Sequence, residues 1–132
     1  MIPKMLIVED EPNLQFFFED MFIGHFKEIK IAGSANEARE TMKAFTPDII
    51  LLDLKMGPFD DRSGLELLRE LREKGNKVNV VVVSAVDDPD DIDEAYKLGI
   101  RKYLKKPFNM DRLRDEVYAY LKEIGRDVPH EE

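Results

Sequence analysis

Short apolar runs alternate with stretches of helical periodicity along the whole chain. Residues 5–8 are a four-residue apolar run that stops at Glu9-Asp10-Glu11, where Pro12 supplies the fixed φ of a first helical position. Leu14, Phe17, Phe18 and Met21 then recur at helical spacing and predict a core-facing stripe that Gly24 ends. Phe16 lies off that stripe, either as a partner contact or as one of the scattered apolar residues that surfaces carry. Residues 28–32 alternate weakly as a short strand, and Ser34-Ala35-Asn36-Glu37 has the spacing of a capping box. Ala35, Ala38, Met42 and Phe45 give the next helix its apolar face until Pro47 prevents continuation.

Four consecutive apolar residues, Ile49-Ile50-Leu51-Leu52, run straight into Asp53, as a strand buried on both faces would. Residues 54–63, with Gly57-Pro58 and Asp60-Asp61-Arg62, read as a loop. Leu65, Leu67, Leu68 and Leu71 mark a third helix that Gly75 ends, and residues 78–83 form a β-branched strand closing on Ser84. Asp87-Asp88-Pro89-Asp90-Asp91 lacks the alternating ligands, central Gly and closing Glu of a calcium hand, whereas helix-start chemistry accounts for it. Asp88 caps, Pro89 takes the first position, and Asp90 and Asp91 face the positive end of the dipole. Ile92, Ala95 and Tyr96 are expected to face inward. A fifth strand over residues 100–104 leads to Lys105-Lys106-Pro107-Phe108. Asn109 caps a last helix with Leu113, Val117, Leu121 and Ile124 on its buried side.

Five strands alternating with five helices predict an α/β domain, a parallel sheet covered on both faces by right-handed crossovers. The flavodoxin-like (βα)5 three-layer sandwich, with strand order 2-1-3-4-5, is the small-domain arrangement that fits. Residues 1–125 make the one domain that 132 residues accommodate, and 126–132 are a polar tail.

Composition narrows the function. The chain has no cysteine, which excludes disulfides, thiolate metal sites and cysteine nucleophiles and permits a cytoplasmic setting. No apolar run suits a membrane span, and no signal peptide is expected. The net charge of −8 argues against direct nucleic-acid binding and suits either solubility alone, a divalent cation or a basic partner.

A lone aspartate at a strand end reads as a cap or turn residue as readily as a reactive one. In a doubly wound sheet, however, the carboxyl ends of the strands share one edge, which brings Glu9, Asp10, Asp53, Ser84 and Lys106 together. Three neighbouring carboxylates raise one another's pKa unless a cation sits among them, and a small hard dication such as Mg²⁺ suits oxygen donors. A hydroxyl from Ser84 and an ammonium from Lys106 complete a plausible phosphoryl-transfer site with Asp53 as nucleophile.

The strand ends Val8-Glu9-Asp10-Glu11-Pro12, Leu51-Leu52-Asp53-Leu54-Lys55-Met56, Val83-Ser84-Ala85 and Tyr103-Leu104-Lys105-Lys106-Pro107-Phe108 resemble those of the receiver domains of two-component response regulators, in order and spacing. The resemblance covers nearly the whole chain. It implies that Asp53 is the phosphoacceptor, with Glu9, Asp10, Asp53 and the backbone carbonyl of Lys55 around Mg²⁺. Ser84 would bind the phosphoryl group and Lys106 pair with it. Tyr103 would be the switch aromatic that turns inward as Ser84 moves, altering the face made by the fourth helix, fifth strand and fifth helix. The Lys106-Pro107 bond would be cis. Lys55 and Val86 would flank the phosphoryl group and tune its lifetime.

The implied function is a phosphorylation-dependent switch, served by a histidine kinase or phosphotransfer protein and read by a downstream protein or fused output domain. Such a domain catalyses its own phosphorylation and dephosphorylation without being a conventional turnover enzyme. Phosphorylation-dependent homodimerisation stays open, as does whether the chain stands alone or belongs to a longer regulator. The sequence departs from the family in the stretch from Met56 to Gly64, longer by about three residues than usual, an insertion of a kind loops tolerate. The alternatives are a receiver-like binding module that is never phosphorylated, an aspartate-nucleophile phosphatase, which would carry a second Asp where Lys55 stands, and a flavodoxin-like electron carrier, which would need a Gly-, Ser- and Thr-rich first loop.

Overall fold

The computed structural model describes residues 2–58 and 62–125. Ten elements alternate along the chain: β1 Lys4–Val8, α1 Pro12–Phe22, β2 Glu28–Ala32, α2 Ala35–Thr41, β3 Ile49–Leu52, α3 Ser63–Glu73, β4 Asn79–Ser84, α4 Pro89–Lys97, β5 Lys102–Lys105 and α5 Met110–Glu123. The strands form one parallel sheet in the order β2-β1-β3-β4-β5, so the flavodoxin-like architecture expected from the sequence is the one observed. The polar tail at 126–132 and the loop residues Phe59, Asp60 and Asp61 lie outside the described residues.

Alternation along the three central strands builds two cores. Leu6, Val8, Ile50, Leu52, Val80 and Val82 point to one face, where Ala35, Ala38, Leu65, Leu68 and Ala95 from α2, α3 and α4 cover them. Met5, Ile7, Ile49, Leu51, Val81 and Val83 point to the other and meet Phe18, Phe22, Leu113 and Val117 from α1 and α5. Because β1, β3 and β4 are covered on both sides, their sequences are continuously apolar, and a polar residue is tolerated only where a strand ends.

Local chemistry fixes the helix starts. Ser34 Oγ accepts from Glu37 N at 3.1 Å while Glu37 Oε1 accepts from Gly33 N at 3.2 Å, so the capping box closes one residue further back than its simplest form. Asp88 accepts from Asp90 N at 2.9 Å, and Asn109 from Asp111 N at 2.8 Å. The Lys106-Pro107 bond is cis, as the resemblance implied.

Four expectations about helix faces need correction. On α1 the fully buried pair is Phe18 and Phe22, four residues apart, while Phe17 is only half-buried; Phe22 is missing from the predicted stripe. Helix α2 stops at Thr41, so Phe45 is buried from the following segment and not from the helix; Lys4 and Lys30 lie over its ring. Tyr96 is exposed, because its hydroxyl accepts from Tyr103 N at 3.1 Å on the outer edge of β5. On α5 Leu113, Val117 and Leu121 are buried as expected, but the fourth buried residue is Tyr120, whose hydroxyl donates to Asp48 O at 3.2 Å, and Ile124 lies exposed beyond the helix end. Tyrosine faces are hard to read from apolar periodicity, since each ring has a polar tip that decides which way it lies. Phe16, placed off the stripe, is 70% exposed.

Candidate functional site

The central position of β3 puts Asp53 in the middle of the carboxyl edge, with β1 on one side and β4 on the other. Its backbone N–H donates to Val8 O at 3.0 Å, which locks the end of β3 to the end of β1 beside Glu9. Glu9 and Asp53 are only 2% and 5% exposed. Lys106 comes from the turn after β5 and is held by its own N–H donating to Ser84 O at 2.8 Å. Its ammonium reaches across β4 to both carboxylates, 2.9 Å from Glu9 Oε1 and 2.8 Å from Asp53 Oδ2. Lys105, by contrast, turns outward to Asp87.

Three further carboxylate oxygens accept from loop N–H groups. Lys55 N donates to Asp53 Oδ1 at 3.1 Å, Glu11 N to Glu9 Oε2 at 3.0 Å, and Gly57 N to Asp10 Oδ2 at 2.7 Å. Gly57 does so at φ +81, a left-handed conformation that favours glycine. Gln15 Nε2 donates to the Glu9 carbonyl at 2.6 Å, fixing the turn between strand and helix. Gly64 packs so closely on the strand end that a Cβ there would lie 2.0 Å from Asp53 O, and its own N–H donates to Leu54 O at 3.0 Å. The start of α3 therefore rests directly on the backbone that carries Asp53.

Burial pushes the Glu9 carboxyl above its ordinary value, against the opposing hydrogen bonds from Lys106 and Glu11 N. For Lys106 burial pulls the ammonium down, but the hydrogen bonds to Asp53 and Glu9 outweigh it and the net shift is upward. Thus the ammonium stays charged and compensates two carboxylates that would otherwise share a dry site uncompensated. Glu9, Asp10 and Asp53 also offer oxygens that all lie within 4.8 Å of one another. This all-oxygen set, partly open through the exposed Asp10, fits a small hard divalent cation such as Mg²⁺.

Ser84, fully buried, closes β4, and its Oγ accepts from Val86 N at 3.3 Å. Tyr103 is turned in beneath the same loop. Its hydroxyl donates to Val86 O; burial, only partly offset by the nearby Ser84 hydroxyl, pushes its pKa up to about 12. The predicted switch pair is thus linked through the Val86 backbone, with the Tyr103 ring packed against the core on the α2-α3-α4 face.

All the residues expected at the site meet at this one edge: Glu9, Asp10 and Asp53 as a carboxylate cluster, Lys106 between two of them, Lys55 beside Asp53, Ser84 with Tyr103 next to them. Nothing in the residue pattern points to Gln15 or to the Gly57 N–H. The spacing of Gly64 from Asp53 is the one signal that could have pointed to a close approach.

The chain matches the family model described as "Response regulator receiver domain" over residues 5–118. It is 32% identical over 123 residues to the transcriptional regulatory protein CiaR of Streptococcus pneumoniae, an alignment covering 93% of this chain and 53% of that protein. It is 29% identical over 118 residues to sporulation initiation phosphotransferase F of Bacillus subtilis, covering 89% and 93% respectively. Among solved structures, the receiver domain of the Francisella response regulator 1452 superposes with a TM-score of 0.78 at 29% identity, over 92% of this chain and 98% of that one. The chain spans about half the length of CiaR and nearly all of phosphotransferase F.

Proposed function

The chain belongs to the response regulator receiver domain family, and from that premise we propose that it is a switch thrown by phosphorylation of Asp53. Receiver domains work with histidine kinases or phosphotransfer proteins on one side and output domains or proteins on the other. A phosphohistidine donor fits the site. One Asp53 oxygen attacks phosphorus, the O–P bond forms as the N–P bond breaks, and the departing imidazole nitrogen keeps the bonding pair and takes a proton from water. Mg²⁺, held by Glu9, Asp10, Asp53 and the Lys55 carbonyl, would neutralise charge on the transferring group. Lys106 contributes a fixed ammonium already at Asp53, and Ser84 a hydroxyl that can follow the new phosphoryl oxygens. As Ser84 shifts, its contact with Val86 and, through that backbone, its link to Tyr103 change, and with them the surface of α4, β5 and α5.

The single observation that carries this reading is the nearly buried Asp53 carboxylate bonded to Lys106 within a cluster of cation-binding oxygens. Incubation with Mg²⁺ and a small-molecule phosphodonor is expected to give an acid-labile phosphoryl adduct, detected by mass, that Asp53→Asn abolishes. An unchanged adduct in that variant, or none in the wild type, rejects the assignment. The Lys at position 55 leaves the phosphatase alternative without its second acid. Among the described residues no helix is long and apolar enough to cross a membrane.

A further inference from the structure

The buried polar side chains among the described residues are Glu9, Asp53, Ser63, Ser84 and Asp91. Three of these belong to the site, and Ser63 opens α3. Asp91 stands apart, 7% exposed on the first turn of α4, with no part in the chemistry above. Its carboxylate meets Arg62 from the end of the loop that leaves Asp53, with Arg62 Nη1 3.0 Å from Asp91 Oδ1 and Nη2 4.0 Å from Asp88 Oδ2. Arg62 thus touches both the residue that caps α4 and the buried acid just inside it.

We propose that Arg62 and Asp91 form a positioning pair that carries the state of Asp53 to α4 through the start of α3, in parallel with the Ser84–Tyr103 link. This rests on Asp53 being the phosphoacceptor. The connection is continuous in space. The Asp53 carbonyl bears directly on Gly64, where even a methyl group would not fit. Gly64 N is bonded to Leu54 O, and Arg62 O accepts from Glu66 N at 2.9 Å in the first turn of α3. A shift of the strand end therefore moves the start of α3 and the arginine mounted on it.

Two further arginines on α3 hold α4 along its length. Arg69 grips Glu94 with a two-pronged pair whose second bond, Nη2 to Oε1, is 2.7 Å, and Arg72 Nε donates to Leu98 O at 2.6 Å. The three contacts make α3 and α4 respond as one packed pair, with the Arg62 contact nearest the site. A network of this kind transmits only if it has two arrangements that the site biases differently, so the test must measure coupling and not proximity.

Amide exchange across residues 89–97 is measured by mass spectrometry, before and after phosphorylation with Mg²⁺ and a small-molecule phosphodonor. The proteins are the wild type, Arg62→Gln, Asp91→Asn, the double variant and Arg62→Lys. Expected is an Asp53 adduct in all five, with the phosphorylation-induced change in 89–97 smaller by about threefold or more in each of the two single charge-removing variants, within the range of mutational coupling effects. The double variant loses no more than either single one, and Arg62→Lys, which keeps the charge, recovers most of the response. A merely structural role would raise exchange before phosphorylation but leave the induced difference intact. That result, additive losses in the double variant, or a wild-type α4 that does not respond to a formed adduct overturns the coupling alone. No adduct on wild-type Asp53 rejects the phosphoacceptor reading as well. Should Arg62→Gln not fold with Asp91 left uncompensated, Asp91→Asn, which removes the buried charge itself, carries the same expectation.

Discussion

An ammonium placed between two buried carboxylates, as Lys106 is between Glu9 and Asp53, does in part what a bound cation would do. The sequence could suggest that Lys106 belonged at this edge, but not that it also bonds Glu9, 97 residues away, since that contact depends on how far a side chain reaches across β4. Removing one member of a buried ion pair costs about 3–5 kcal/mol in a fully enclosed site. Here the Lys106 side chain is 19% exposed, so water screens part of that loss. Lys106→Met is therefore expected to lower the urea midpoint at neutral pH without metal. Saturating Mg²⁺ should then raise the midpoint of the variant more than that of the wild type, because no tethered ammonium competes for the same oxygens. Equal increments in the two proteins would show that Lys106 and the cation do not share a binding region.

Helices in this fold are fastened to one another by more than their apolar stripes. The stripes of α3 and α5 were legible from leucine and valine spacing, but the role of Arg72 was not, because its partners are backbone carbonyls, which no side-chain pattern signals. Its guanidinium donates to Leu98 O, to Asn76 O and Val78 O at 2.9 Å each, and to Gly99 O at 3.5 Å. These carbonyls lie just beyond the ends of α3 and α4, where no further helical turn supplies them a donor. Burial pulls the guanidinium pKa down, yet five donors in a fixed fork suit several carbonyls at once. A lysine offers one nitrogen and cannot span them. Arg72→Lys should destabilise the fold by roughly 1–3 kcal/mol, the scale of one or more lost charge-assisted bonds, with amide exchange rising at residues 74–79 and 97–101. Loss of stability without that local rise would place the effect elsewhere.

The molecule as a whole was readable where its physics is one-dimensional. The continuous apolar runs of β1, β3 and β4, the caps at Ser34, Asp88 and Asn109, and the acidic and basic strand ends all lie in the sequence itself. Side-chain ties between layers do not, because they depend on rotamers and helix crossings. Two of these ties are forked pairs, Arg39 Nε and Nη2 each 2.8 Å from Glu70 and Arg69 with Glu94, and they join α2 to α3 and α3 to α4. The arginine hydrogen bonds hold both glutamates below the ordinary carboxylate value of 4.5. A carboxylate depressed on folding stabilises the folded chain above its unfolded pKa, and that contribution is lost as pH falls through the folded value. Glu9, raised by burial, acts with the opposite sign and recovers stability on the same descent. The two effects are separable by mutation. Between about pH 5 and 3 the wild-type urea midpoint should fall more steeply than that of the Glu70→Gln, Glu94→Gln double variant. The gap is expected to be modest, about 1 kcal/mol or less for two partly exposed pairs, with amide exchange in the α2-α3-α4 layer rising before that in α1 and α5. Superimposable acid limbs for the two proteins would remove these pairs from the account of what holds that layer together.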